Sequence, residues 1–89
     1  MKKQNLKQKS LTKADIEVLK AMNDFKDNGL VWYWNIEDYF DSRKDIDVMD
    51  IVDKLEELKY IKPAKVKNAA NAEFYKMTKK GIDFLKNIK

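Results

Sequence analysis

The sequence predicts a mainly α-helical α+β domain whose elements follow the order α-β-α-α-β-β-α. Apolar residues return at helical spacing in the segments that open near Thr12, Asp45 and Thr78. Between the last two helices, Tyr60–Lys67 and Glu73–Met77 are rich in β-branched and aromatic residues and flank a polar loop, as in a hairpin. Only 2 Gly and 1 Pro occur in 89 residues, so little interrupts the helices. A chain this short builds one core, and 44% apolar with 38% charged residues suits a folded domain. Residues 11–89 are expected to form it, after a Lys- and Gln-rich stretch, 1–10, that lacks periodicity and reads as a flexible basic arm.

Thr12 followed by Asp15 has the spacing of a capping box, and Ile16, Val18, Leu19, Met22 and Phe25 then share a broad face, giving a first helix over 12–26. Asn28-Gly29 supplies its stop, because both residues tolerate the left-handed conformation that closes a helix. The run Leu30–Trp34 suits a brief strand. Alternation along it would bury two of Trp32, Tyr33 and Trp34 and expose one. Asn35 is then the expected N-cap of a short second helix, Ile36–Phe40, and Asp41–Lys44 a polar turn. Val48, Ile51, Val52, Leu55 and Leu58 mark the third helix, expected over 46–58. A strand over Tyr60–Lys67 tolerates Pro63 only at an edge or near its start; Asn68–Asn71 form the loop, and Glu73–Met77 return. Thr78 caps a last helix that reaches Ile88.

Composition removes several kinds of chemistry. With neither Cys nor His, the usual metal ligands and the usual general base are missing, and no catalytic residue, metal or cofactor is expected. Asp41, Asp45, Asp47, Asp50 and Asp53 do not form a calcium-loop motif. Asp45 and Asp47 are better placed to complement a helix N-terminus, and Asp50, Asp53 and Lys54 to pair within the third helix. Neither a signal-peptide apolar region nor a membrane-spanning run is present, so no membrane partner and a cytoplasmic or nucleoid location are expected. The net charge of +4 is unevenly spread: residues 1–13 carry 5 Lys and no acid, 14–60 carry 6 basic and 13 acidic residues, and 61–89 carry 8 Lys and 2 acids. Basic ends of this kind are the footprint of a phosphate-binding surface.

Individual residues sharpen this outline. The run from Val48 to Leu58, closed by Lys59-Tyr60-Ile61, resembles the recognition helix and first wing strand of the winged helix-turn-helix domains of MarR-type and PadR-type transcriptional regulators. Tyr75-Lys76-Met77-Thr78-Lys79-Lys80-Gly81 is similar to the family's wing exit, Tyr-x-Leu-Thr-x-x-Gly, and Leu11-Thr12 with Ile16 and Leu19 to the start of its first helix. The resemblance covers about 12–88. It implies a regulator that binds double-stranded DNA as a homodimer, with the third helix in the major groove and the wing on the flanking backbone. Contacts beside the helix would come from Arg43, Lys44, Met49 and Lys54; the wing would add Lys62, Lys65, Lys67 and Lys76, and the arm Lys2 and Lys3. Two departures stand out. Of the groove-facing positions Asp47, Met49, Asp50 and Lys54, two are carboxylates, which phosphates repel. Lys59 stands where the family often has Gly, so a looser turn into the wing is expected. The alternative is a protein-interaction module that uses the acidic third helix and an exposed aromatic of Trp32–Trp34.

Overall fold

A computed structural model of the chain describes residues 11–64 and 73–88. The expected arm, the strand end at Lys65–Lys67 and the loop Asn68–Asn71 lie outside the described residues. The elements are α1 (Lys13–Phe25), β1 (Val31–Trp32), α2 (Tyr33–Tyr39), α3 (Val48–Glu57), β2 (Ile61–Ala64), β3 (Phe74–Met77) and α4 (Lys79–Asn87), in the predicted order.

The capping box that opens α1 is complete. The Asp15 amide donates to the Thr12 hydroxyl at 3.1 Å, and the Thr12 amide donates to the Asp15 carboxylate at 2.8 Å. Val18, Leu19, Ala21 and Met22 form the buried face, while Phe25, expected on it, is exposed at the end of the helix. The left-handed pair does something other than stop this helix, which has already ended in extended backbone at Lys26. Asn28 (φ 54°) and Gly29 (φ 83°) occupy the centre of a tight turn in which Asp27 and Leu30 exchange both backbone hydrogen bonds, at 2.7 and 3.0 Å. Positive φ at both central positions is what a two-residue hairpin turn requires, and it sends the chain directly into β1.

The strand is shorter and the second helix longer than the residue types suggest. β1 holds only Val31 and Trp32, and α2 starts at Tyr33, with no side-chain cap from Trp32 and no use of Asn35 as a cap. Burial decides the matter: Tyr33, Ile36 and Phe40 step at i, i+3 and i+7 into the core. The Tyr33 hydroxyl also donates to Glu37 one turn on. Tertiary packing thus outweighs the β-propensity of the aromatic run. As a result Tyr33 alone is buried, while Trp32 and Trp34 are both exposed, the reverse of the expected two-to-one split.

The α3 stripe Val48, Ile51, Val52 and Leu55 is buried as predicted, and the helix opens at Val48 with Asp47 as N-cap, its carboxylate accepting from the Asp50 amide at 3.2 Å. The sheet is antiparallel with strand order β1-β3-β2; Val31 lies opposite Tyr75, and Ile61 opposite Met77. Pro63 sits on the edge strand β2, where its missing N–H costs no ladder bond.

At the α3–β2 junction the turn is tight despite the lysine. The Tyr60 amide reaches back to the Leu55 carbonyl at 2.9 Å and the Lys59 amide to Glu56 at 3.0 Å, a Schellman closure that leaves Lys59 at φ 73°. Thr78 then ties α4 to this junction. Its hydroxyl lies 2.7 Å from the Lys59 carbonyl and 3.0 Å from the Tyr60 carbonyl, and it accepts from the Gly81 amide at 3.1 Å. A Cβ on Gly81 would overlap the Tyr60 carbonyl oxygen and come within 3.2 Å of the Met77 methyl. Glycine there is a condition of α4 docking against the junction.

Candidate nucleic-acid interface

The hairpin places Lys62 of β2 directly opposite Lys76 of β3, and both side chains are exposed. Neither has a hydrogen bond or ion pair among the described residues. Two like charges facing each other across a ladder repel by roughly 0.2–1 kcal/mol, a cost that an anion between them would reverse. Lys65 and Lys67, which follow β2 in the sequence, and Lys2 and Lys3 lie outside the described residues.

The cations flanking α3 are arranged differently. Arg43 is forked onto Asp45, through Nε at 3.0 Å and Nη2 at 2.9 Å, and its Nη1 donates to Glu17 of α1 at 3.0 Å. These bonds push the guanidinium further toward its charged form and hold the Asp45 carboxyl below its ordinary value. Asp45 therefore serves Arg43, not the helix N-terminus. Lys54 does not pair within α3: its ammonium lies 2.6 Å from Asp15, which is 3% exposed at the start of α1. Burial works to raise the Asp15 carboxyl, but the hydrogen bonds from Lys54 and the Thr12 backbone outweigh it and hold the group below the usual carboxylate range. Arg43 and Lys54 thus fasten the α2–α3 turn and α3 to α1.

The remaining exposed surface of α3 is acidic. Met49 is 54% exposed, and beside it Asp50, Asp53 and Glu57 are exposed as well. Lys44, in the preceding turn, is exposed. On the sheet, burial raises the Tyr75 phenol, and Glu56, Glu73 and Asp53 raise it further, so the acidic field extends from α3 to β3.

Two features were not visible to residue-type reasoning. Lys80 donates to the Leu58 carbonyl at 2.7 Å and stands 4.6 Å from the centre of the Tyr60 ring, satisfying the C-terminal end of α3. Phe25, Trp32, Trp34 and Tyr39 are all exposed. The i, i+3, i+7 spacing of Tyr33, Ile36 and Phe40 was the signal that would have placed both tryptophans outside. Among the described residues no cluster of acidic side chains is arranged to hold a metal ion, and no helix is long and apolar enough to cross a membrane.

No family model and no curated protein matches the chain by sequence. Its structure is similar to that of a cysteine-to-serine mutant of E. coli MarR in complex with operator DNA, with a TM-score of 0.69 and 14% identity over 86% of this chain and 52% of that one. It is likewise similar to the zinc-responsive MarR family member ZitR of Lactococcus lactis, with a TM-score of 0.67 and 20% identity over 88% of this chain and 51% of that one. A ZitR mutant in complex with DNA gives a TM-score of 0.63 at 19% identity, over 86% of this chain and 49% of that one. The chain spans about half the length of the solved structures it matches. The fold is a winged helix of the MarR type.

Proposed function

We propose that this winged helix is a non-enzymatic, cytoplasmic regulator of transcription that binds double-stranded DNA as a homodimer, gripping the backbone through its wing. The observation that carries this reading is the facing pair Lys62 and Lys76, two exposed ammonium groups with no described counterion on the wing. Phosphates are the natural partner of such a pair, and Lys65, Lys67, Lys2 and Lys3 would extend the contact. Fold-level likeness to proteins solved with DNA supports the same reading.

Within this picture α3 reads little sequence. Arg43 and Lys54 are engaged by carboxylates, and Asp50 and Asp53 meet the phosphate field with the wrong sign. Met49 offers an apolar contact of the kind that suits a thymine methyl, and Lys44 a phosphate contact. Dimerisation falls to α4, where Ile82, Phe84, Leu85 and Ile88 are all only partly covered.

Fluorescence anisotropy with a short random-sequence duplex across a salt series tests the proposal. Binding should weaken linearly on a log–log plot, and replacing Lys62 and Lys76 by Ala should flatten the slope by about 1.8, or about 0.9 per lost phosphate contact. Unchanged affinity and slope in that double variant would remove the wing from the interface.

A further inference from the structure

Of the exposed aromatics, Phe25, Trp32 and Tyr39 lie together, and Trp34 is exposed on the first turn of α2. Phe25 (40% exposed), Trp32 (43%), Trp34 (47%) and Tyr39 (60%) lie at the end of α1, in β1 and on α2. The rings of Phe25 and Tyr39 meet edge to face at 5.1 Å. Phe25, Leu30, Trp32, Asn35 and Phe74 line a groove of about 260 Å³, with Trp32 directly opposite Phe74 across the β1–β3 ladder. Large aromatics left half in water, in a chain that buries Tyr33 between them, are unexplained by the core.

We propose that this groove docks a partner protein's basic segment, a single bulky apolar side chain flanked by Lys or Arg. The volume is below the roughly 300 Å³ at which small-molecule pockets begin, so it suits one anchor side chain better than a cofactor. Charge selects the flanks. Asp27 lines the groove, Asp38 follows Trp34 by one turn on the exposed face of α2, Glu73 precedes Phe74, and Asp24 stands beside Tyr39 in the neighbouring depression. Against these four carboxylates stand Lys26, hydrogen-bonded to Asn23 at 2.9 Å, and Lys20, while Arg43 of the same depression is paired with Glu17 and Asp45. Indole and phenol faces add affinity for ammonium and guanidinium groups. A two-fold dimer across this face would set its acids against themselves, and nucleic acid would meet them with phosphates, so neither is the occupant. The proposal is independent of DNA binding by the wing.

Trp32 lines the groove, so its intrinsic fluorescence reports on the occupant. The probe is a short synthetic peptide of alternating lysine and leucine, with a counterpart carrying glutamate in place of lysine. A saturable blue shift with the first and none with the second is expected. Reversing Asp27 and Asp38 to Lys should weaken the lysine peptide about tenfold, and Trp32→Ser should abolish the saturable response while thermal melting stays unchanged; both substitutions are at exposed positions, and the charge reversal keeps the aromatic surface intact. Equal response to both peptides, no saturable response, or indifference to the charge reversal would overturn the proposal. So would sedimentation showing a dimer of the chain alone in which acrylamide no longer quenches the tryptophans, since a second copy would then be the occupant. A failure of DNA binding would leave these outcomes unaltered.

Discussion

Replacing Gly81 by alanine sets two effects of opposite sign against each other, and the structure decides between them. In a helix interior Ala is favoured over Gly by about 1 kcal/mol. The new methyl, however, overlaps the Tyr60 carbonyl oxygen, a backbone atom that cannot rotate away, and also presses on Met77. That oxygen accepts from the Thr78 amide at 3.2 Å and lies 3.0 Å from its hydroxyl, so moving α4 outward loosens the cap that starts the helix. Overpacking costs about 1–3 kcal/mol, and a weakened cap adds about 1 kcal/mol. Against the propensity gain, a net loss of about 2 kcal/mol follows, in the range set by such mechanisms. For an 89-residue domain that corresponds to a fall in Tm of about 8–16 °C. Urea titration and thermal melting followed by far-UV circular dichroism measure both. A variant as stable as the parent, or more so, would show that α4 does not close on the α3–β2 junction as described.

Other substitutions probe the remaining joints. Lys59→Gly should stabilise by about 0.5–1 kcal/mol in the same titration, because the residue already sits at φ 73°, where a side chain is strained. Asp15→Ala should cost about 3 kcal/mol, since it leaves the partly covered Lys54 ammonium without its partner and removes half of the α1 capping box. The same residue sets a pH dependence. Its folded value lies below the ordinary one, so its contribution is fully present above about pH 3.9 and is lost as pH falls through the folded value; melting between neutral and acidic pH should show a shallower acid limb in the variant. Arg43→Ala should leave the melting temperature close to that of the parent, because its ion pairs are exposed.

The element order and the buried stripes of α1 and α3 were legible because periodicity and capping residues act locally: Thr12 with Asp15, and Thr78 ahead of Gly81, are complete within four residues. What escaped the sequence depends on distant partners. Tyr33 joins a helix because the core takes its ring, and Trp32 and Trp34 turn outward as a consequence. Lys54 looks like a helix-surface cation until Asp15, 39 positions earlier, is brought to it. Arg43 looks like a contact beside the recognition helix until Glu17 of α1 arrives beneath it. For the two cations the chain pattern names the charge correctly, and only the tertiary fold says what that charge is used for.

That distinction bears on where this domain would hold nucleic acid. A MarR-type winged helix needs a buried stripe on α3 and a tight exit into the wing, and Val48, Ile51, Val52, Leu55 and the Lys59 turn meet both needs without constraining the opposite face of α3. That opposite face carries Met49, Asp50, Asp53 and Glu57. Arg43 and Lys54 are engaged by carboxylates of α1 and of the preceding turn, so they hold α3 in place and lend it little positive field. On the wing the balance is reversed, since Lys62 and Lys76 face each other with no described acid between them. Phosphate attraction grows with unpaired cations and not with total charge. On the proposed DNA-binding reading, a duplex would be drawn to the hairpin and held off by α3, with backbone grip favoured over base reading.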